Sequence, residues 1–303
     1  MSLYPPPQLL ASEVHVDLVA QLGLEPRGSP WLRKAGLPDT HSFLEGPVFD
    51  ADGNLFVVDA PFGRIFRIDP AGEASVALTY DGVPNGLALG PDGNIYIADR
   101  EHGILRFEPT GAAVTPVIPR SRLEPDFKGP NDLVFDSRGN LYFTDQGDTD
   151  LNDPTGRVFR LNVDGSLDRL LWNVPSPNGI ALSPDETRLY VAVTFGQQVW
   201  HMPLRTDGRI IKVGVFQNFS GGFSGPDGLA VDRAGGLAVC QNRTGSVWLF
   251  DPLGVPTYRI KSCRGLLTTN ATYGPDGRTL FITESETGSV LKATIPSTET
   301  SVG

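Results

Sequence analysis

The stretch SPNGIALSPDE, Ser176 to Glu186, places the polar Asn178 directly before an apolar run that ends in an Asp-containing turn. The phrase recurs as VPNGLALGPDG from Val83, GPNDLVFDSRG from Gly129 and GPDGLAVDRAG from Gly225, and more loosely as LEGPVFDADG from Leu44. Asn-Gly or Asp-Gly pairs beside apolar residues are typical of strands joined by tight turns. Because the phrase repeats, it predicts the organisation of the whole chain and not of one hairpin.

Every copy carries one polar residue at the same place, which we call the slot, and a sixth copy is TTNATYGPDGRTLFIT. The six predicted slots lie 40 to 49 residues apart and are Glu45, Asn85, Asn131, Asn178, Asp227 and Asn270. Ten residues after each slot an apolar residue begins a second strand, except in the fourth copy, which slips by one to Leu189. Third and fourth apolar segments follow. Four short strands repeated six times predict an all-β, six-bladed β-propeller with four-stranded antiparallel blades.

The two ends of the chain are predicted to close this ring. The sixth copy ends after its third strand, at SVLKATIP, whereas VHVDLVAQL, from Val14, alternates like a strand and precedes the first slot. We therefore expect an N-terminal strand to complete the last blade and residues 1–303 to form a single propeller domain. Residues 24–42 are an insertion that has to cross one end of the ring. They are interpreted either as a lid over that end or as ordinary packing onto its rim.

The charge balance limits the partners. A net charge of -10 and a pI near 4.9 argue against nucleic-acid binding, which requires a basic surface. The N-terminus lacks the pattern of a secretory signal, and no apolar run reaches the length of a membrane span. The sequence thus predicts a cytoplasmic protein, a monomer or small homo-oligomer, with no membrane partner.

The slots point to a chemistry. Each slot precedes the innermost strand of its blade, so all six face the central channel at the same end. One Glu, one Asp and four Asn supply only oxygen ligands, which suit a hard divalent cation such as Ca²⁺. The alternative is that each polar residue makes only a local turn or cap.

Four motifs in order carry a family resemblance: LEGPVF at Leu44, GPNDLVFD with NLYFTD from Gly129, SPNGIALSPDE at Ser176, and GPDGLAVD at Gly225. On these motifs the chain, from about Phe43 to Lys292, resembles the SMP-30/gluconolactonase/luciferin-regenerating enzyme family. Within that family it is most similar to the Drp35-like bacterial lactonases. The resemblance implies a six-bladed propeller that hydrolyses a lactone with a divalent metal, Ca²⁺ or alternatively Zn²⁺, Mn²⁺ or Mg²⁺.

The resemblance also implies roles for four slots. Glu45, Asn178 and Asp227 correspond to the metal ligands of the family, and Asn131 to a further metal or substrate ligand with a catalytic role. The arginine that commonly accompanies that Asn and holds a sugar lactone is absent here, where Lys128 and Gly129 stand instead. An aldonolactone is therefore not implied as the substrate.

Three further residues are weaker candidates for contact with a small-molecule substrate. Asn85 occupies a slot, Asp145 ends a second strand at FTDQ, and His41 lies four residues before Glu45. The acidic loop QGDTDLNDPT after Asp145 is interpreted either as a solvated loop or as a second, structural Ca²⁺ site.

The implied reaction is metal-assisted ester hydrolysis. The cation polarises the lactone carbonyl, and Asp227 is the candidate base for the attacking water. Two alternatives stay open from the sequence. One is an organophosphate hydrolase resembling diisopropyl fluorophosphatase, and the other is a non-catalytic NHL-type propeller that binds a partner.

Overall fold

A computed structural model describes residues 4–111, 113–221 and 223–296 of the chain. The described residues form 25 strands in six sheets, with only short helices. Each sheet contains four antiparallel strands that follow one another along the chain from the axis outwards, apart from additions made by the N-terminus. The predicted six-bladed β-propeller is therefore confirmed.

The N-terminal segment precedes the first blade. It contains β1 (Gln8–Ala11), β2 (Glu13–Asp17), α1 (Leu18–Leu22) and α2 (Pro30–Lys34). Blade one contains β3 (Leu44–Phe49), β4 (Leu55–Asp59), β5 (Arg64–Ile68) and β6 (Ala74–Thr79). Blade two contains β7 (Pro84–Leu89), β8 (Ile95–Asp99), β9 (Gly103–Phe107) and β10 (Val114–Pro119). Blade three contains β11 (Pro130–Phe135), β12 (Leu141–Asp145), β13 (Gly156–Leu161) and β14 (Leu167–Val174).

The second half of the ring repeats this order. Blade four contains β15 (Pro177–Leu182), β16 (Arg188–Val193), β17 (Gln198–Pro203) and β18 (Gly214–Asn218). Blade five contains β19 (Pro226–Val231), β20 (Leu237–Gln241), β21 (Ser246–Phe250) and β22 (Pro256–Lys261). Blade six contains β23 (Thr268–Tyr273), β24 (Thr279–Glu284) and β25 (Ser289–Thr294). Short 3-10 helices lie at Ala60–Phe62 and Arg120–Arg122.

The core lies between neighbouring blades. Phe56 and Val58 of blade one pack against Leu87 and Ile97 of blade two in one apolar cluster, and comparable clusters join the other neighbours. The second strand of a blade is sandwiched on both faces, so all five residues of β4 (Leu55–Asp59) are buried. Strands buried on both faces read as continuous apolar runs, which is why this strand was recognisable in the sequence.

The N-terminus closes the ring, as predicted. β2 pairs antiparallel with β25 and completes blade six, while β1 adds an unpredicted fifth strand, parallel to β22, on the outside of blade five. The observed strand β2 is shorter than the predicted VHVDLVAQL, because the chain turns into α1 after Asp17. The Asp17 carboxylate caps this helix by accepting from the N–H of Ala20 at 2.9 Å, and Gly23 ends it at φ 58°.

The insertion 24–42 packs onto the end of the ring where the slots lie. Ser29 caps α2, Leu32 is buried, and the Trp31 ring meets the Phe43 ring edge-to-face at 5.6 Å. The Lys34 ammonium forms an ion pair with Asp148 of blade three at 2.8 Å. These contacts place the insertion across blades one to three; its action as a lid stays a prediction. Among the described residues, no helix combines the length and apolarity that a membrane crossing requires.

Candidate metal centre

The slot is the second residue of each innermost strand, and the backbone there departs from regular pairing. Every innermost strand shifts register beside its slot, as between Pro130 and Leu133 in β11 and between Pro226 and Leu229 in β19. Such irregularities re-aim side chains at the rims of barrels and beside active sites. They account for polar side chains at the start of strands whose other residues pack in the core.

The predicted slot residues are all buried, with exposed fractions between 3% and 7%. Burial raises the pKa of Glu45 well above its usual range, and the neighbouring carboxylates of Asp227 and Asp132 raise it further. Burial likewise raises the pKa of Asp227 to about 7, although the amides of Asn242 and Asn178 lower it. The slots of blades one and five are therefore close enough for their carboxylates to interact, and they concentrate acidic groups away from solvent.

One slot was predicted one residue too late. In blade six the second residue of β23 is Thr269, because the turn after β23 is one residue longer than predicted, as it is in blade four. Thr269 donates its hydroxyl to the carbonyl of Leu44 at 2.7 Å. Asn270 is the third residue of its strand and occupies the position that Asp132 occupies in blade three. Both accept a hydrogen bond from the next backbone N–H, at 2.8 and 2.9 Å.

The third residue of each innermost strand lies against the innermost strand of a neighbouring blade, next to the slots. Glycine holds this position in blades one, two, four and five. A Cβ on Gly46, at φ 48°, would lie 2.4 Å from the Asn85 carbonyl oxygen, so only glycine lets these strands approach so closely. The other two blades use polar bridges. Asp132 accepts from the N–H of Ile180 in blade four at 3.2 Å, and the side chain of Asn270 hydrogen-bonds to both Glu45 and Asp132.

A second ring of residues lies above the slots, one residue after the second strand of each blade: Ala60, Arg100, Gln146, Thr194, Asn242 and Ser285. Asn242 donates to the Asp227 carboxylate at 2.6 Å, and Gln146 accepts from the Asn131 amide at 2.8 Å. Sequence analysis missed this ring. Its signal was a constant distance of 15 or 16 residues after each slot, counting Thr269 as the sixth.

Some buried polar atoms at the slots have no partner among the described residues. They include the Oδ1 atom of Asn131 and the Nδ2 atom of Asn85. A buried polar atom without a hydrogen bond is costly, and such atoms often mark the position of an ion, water or ligand. Both slots therefore have a free polar atom within the ring, on neighbouring blades.

Asp145 and His41 are engaged elsewhere. One Asp145 oxygen accepts from the N–H groups of Lys128 and Gly129 at 3.2 and 2.7 Å, and the other pairs with Arg157, so the carboxylate ties blade three together. The His41 Nδ1 atom lies 2.7 Å from the carbonyl of Leu24 within the insertion. Among the described residues, no hydrogen bond joins either side chain to a slot, and their contact with substrate stays a prediction.

The acidic loop after Asp145 holds its carboxylates apart. Asp148 pairs with Lys34 and Arg100, at 2.8 and 3.3 Å, and Asp150 accepts from the N–H groups of Asn152 and Asp153. Throughout the part of the chain that the structure describes, no three His, Cys, Asp or Glu side chains are grouped to hold a metal. A metal at the slots would therefore need amide oxygens in addition to carboxylates.

Comparison with known proteins agrees with the family resemblance of the sequence motifs. Residues 43–286 match the family model described as SMP-30/Gluconolactonase/LRE-like region. This chain belongs to that family. The matched residues include the innermost strand of every blade. The resemblance to the SMP-30/gluconolactonase/LRE-like family that was inferred from the motifs is therefore confirmed.

Relatives of this family member include lactone hydrolases. The gluconolactonase of Zymomonas mobilis is 32% identical over 272 residues, covering 80% of this chain and 76% of that protein. The lactonase drp35 of Staphylococcus epidermidis is 29% identical over 304 residues, covering 92% and 91%. The crystal structure of regucalcin, a calcium-binding protein from Agrobacterium tumefaciens, superposes with a TM-score of 0.78 at 21% identity and covers 96% of both chains. The named relatives support lactone hydrolysis, and the superposition supports the fold.

Proposed function

We propose that this protein is a divalent-metal-dependent hydrolase that opens a lactone by means of a metal-activated water. The observation that carries the proposal is the convergence of two buried carboxylates, Glu45 and Asp227, with amide oxygens of neighbouring slots. In the described residues no Lys or Arg side chain forms a salt bridge with either carboxylate. A buried carboxylate without a cation is costly, and a bound cation removes that cost.

The donor set fits a hard cation. The candidate ligands are Glu45, Asp227, Asn178 and Asn131, all oxygen donors, and the Oδ1 atom of Asn131 is buried without a partner among the described residues. Oxygen-only sets with carboxylates and carbonyls suit Ca²⁺, Mg²⁺ or Mn²⁺ better than a soft metal. The calcium binding named for the regucalcin relative points the same way, so Ca²⁺ is the proposed ion.

When bound, the cation supplies Lewis-acid stabilisation of the oxyanion, worth several kcal/mol. The residues of this chain divide the remaining work. Asp227 takes the proton of the attacking water, because it is a buried carboxylate within the proposed metal site and combines contact with the metal and basicity. Asn242 holds one Asp227 oxygen at 2.6 Å and so orients the carboxylate. Glu45 is fixed by the Asn270 amide and serves as a ligand.

The proposal is tested on EDTA-treated protein with a substrate panel of gluconolactone, dihydrocoumarin, γ-lactones and a fluorophosphate. Hydrolysis is measured before and after Ca²⁺, Mn²⁺ or Zn²⁺ is restored. We expect lactone opening only after a metal is added. Undiminished hydrolysis without metal, or no lactone opening with a metal bound stoichiometrically, would refute the proposal. Hydrolysis of the fluorophosphate alone would instead identify the protein as an organophosphate hydrolase.

A further inference from the structure

Asn131 is useful to a metal only if its oxygen, and not its nitrogen, faces the ring. The two ends of an amide have nearly the same shape, so the neighbours of the side chain decide which end points where. Oδ1 of Asn131 is the buried atom without a partner, whereas Nδ2 donates to Oε1 of Gln146 at 2.8 Å. The question becomes what fixes the orientation of Gln146.

Gln146 is oriented by Arg100. A guanidinium only donates hydrogen bonds, so the Gln146 atom that meets it has to be the oxygen. Nη1 of Arg100 donates to Oε1 of Gln146 at 2.9 Å. Nε2 of Gln146 then donates to the Ser176 hydroxyl at 2.9 Å, and that hydroxyl could accept or donate equally well. Ser176 therefore cannot choose the orientation, and Arg100 does.

Arg100 is itself firmly held. Its Nη2 atom donates to the backbone carbonyl of Gly147 at 3.1 Å and pairs with Asp148 at 3.3 Å, and only 15% of its side chain is exposed. The backbone carbonyl is an acceptor that cannot flip. Starting from this fixed point, every donor and acceptor in the series is determined as far as Asn131.

We infer that Arg100 and Gln146 are positioning residues that set the Asn131 amide with its oxygen towards the metal. Arg100 comes from blade two, Gln146 and Asn131 from blade three, so the series also joins two blades above the slots. The inference rests on the proposed function, since it concerns a ligand of the proposed metal. It adds two residues that act through Asn131 and are not themselves proposed as ligands.

Calorimetric Ca²⁺ titration of the metal-free protein tests the series without any substrate. Gln146→Leu removes the acceptor, and partners of metal ligands typically contribute roughly 10- to 100-fold to metal affinity. We expect a loss of that size. Gln146→Glu is the matched rescue, because a carboxylate still accepts from both Arg100 and Asn131. Its Ca²⁺ affinity is expected to equal or exceed that of the wild type.

Arg100 provides an independent arm. Arg100→Met frees Gln146 to turn its nitrogen towards Asn131, so Ca²⁺ affinity is expected to fall, whereas Arg100→Lys keeps a donor-only group and preserves it. Gln198→Leu is the control for loss of a glutamine, because Gln198 bonds to Asn218 and Trp200 on the outer strands of blade four. This variant is expected to bind Ca²⁺ like the wild type.

The outcomes separate the two ideas. If the wild type binds no divalent cation, the proposed function fails. If the wild type binds Ca²⁺ and both Gln146→Leu and Arg100→Met bind it equally well, the positioning inference fails while the proposed function stands. Melting curves of each variant identify any that do not fold, and Arg100→Met, on a loop outside the strands, keeps the test available if Gln146→Leu is one of them.

Discussion

Replacing Leu18 by alanine tests how the ring is closed. Leu18 is fully buried at the start of α1, in an apolar cluster with Leu44 and Phe66 of blade one and Val290 of blade six. Truncation of a buried leucine costs about 2–5 kcal/mol, because it removes apolar contacts and leaves a cavity. The unfolding entropy is roughly 2.1 cal/mol/K per residue, so for a chain of 303 residues the Tm falls by roughly 1.6 °C for each kcal/mol of lost stability. The Tm is therefore expected to fall by roughly 3–8 °C.

Scanning calorimetry of matched variants measures this effect. Leu9→Ala is the control, because Leu9 lies on β1 with 70% of its surface exposed and is expected to leave the Tm unchanged. Deletion of residues 1–22 removes β1, β2 and α1 together and should lower the Tm further. If Leu18→Ala melts with the wild type, the N-terminal segment does not stabilise the closure and the reasoning is wrong.

Three further predictions concern the carboxylates. Asp227→Ala should abolish lactone turnover while the circular dichroism of the fold is kept; substantial remaining turnover with metal bound would remove Asp227 from the chemistry. Arg157→Met leaves the buried Asp145 without its cation and should cost roughly 3–5 kcal/mol in urea unfolding; a cost below about 1 kcal/mol would show that the ion pair is dispensable. The pKa of Asp227 rises on folding from 3.8 to about 7, so protonation of this carboxylate favours the folded state. The resulting contribution to the free energy of unfolding is complete below about pH 4 and is lost as the pH rises through 7. The Tm of EDTA-treated protein should therefore rise between about pH 8 and about pH 6, less so in Asp227→Ala, and a profile that is flat or falls would contradict the assignment.

The repeat made the fold predictable from the sequence. A phrase that recurs in the same register, with turn residues at fixed places, leaves few architectures able to bury its strands. Local signals were harder to weigh against the repeat. The Asp17 cap ended β2 and began a helix, which Gly23 ends, inside a segment whose alternation favoured a strand. β1 was not predicted, because a strand added to the outside of a blade needs no apolar alternation.

The site was predictable only where it follows the repeat. Glu45, Asn131, Asn178 and Asp227 were located at one end of the ring because each lies at the start of an innermost strand, and their roles as ligands stay predictions. The sixth slot was misplaced, since one extra turn residue moved the register and Asn270 is chemically similar to a true slot residue. The partners above the slots were missed because their role depends on contacts between blades, as between Arg100 and Gln146, which spacing alone does not reveal.

The closure of the ring by the N-terminus has a consequence for biosynthesis. Ser12 bonds to Lys261, 249 residues away, and β2 pairs with β25 at the far end of the described chain. During translation β2 emerges before the strands of the six blades and β25 after all the other described strands, so the backbone donors of β2 and its apolar Val14 and Val16 stay unpaired while the blades are made. Contacts of such sequence separation form slowly, and unpaired edges invite association between chains. Nascent or truncated chains that lack β25 are therefore the species most exposed to aggregation and most dependent on chaperones.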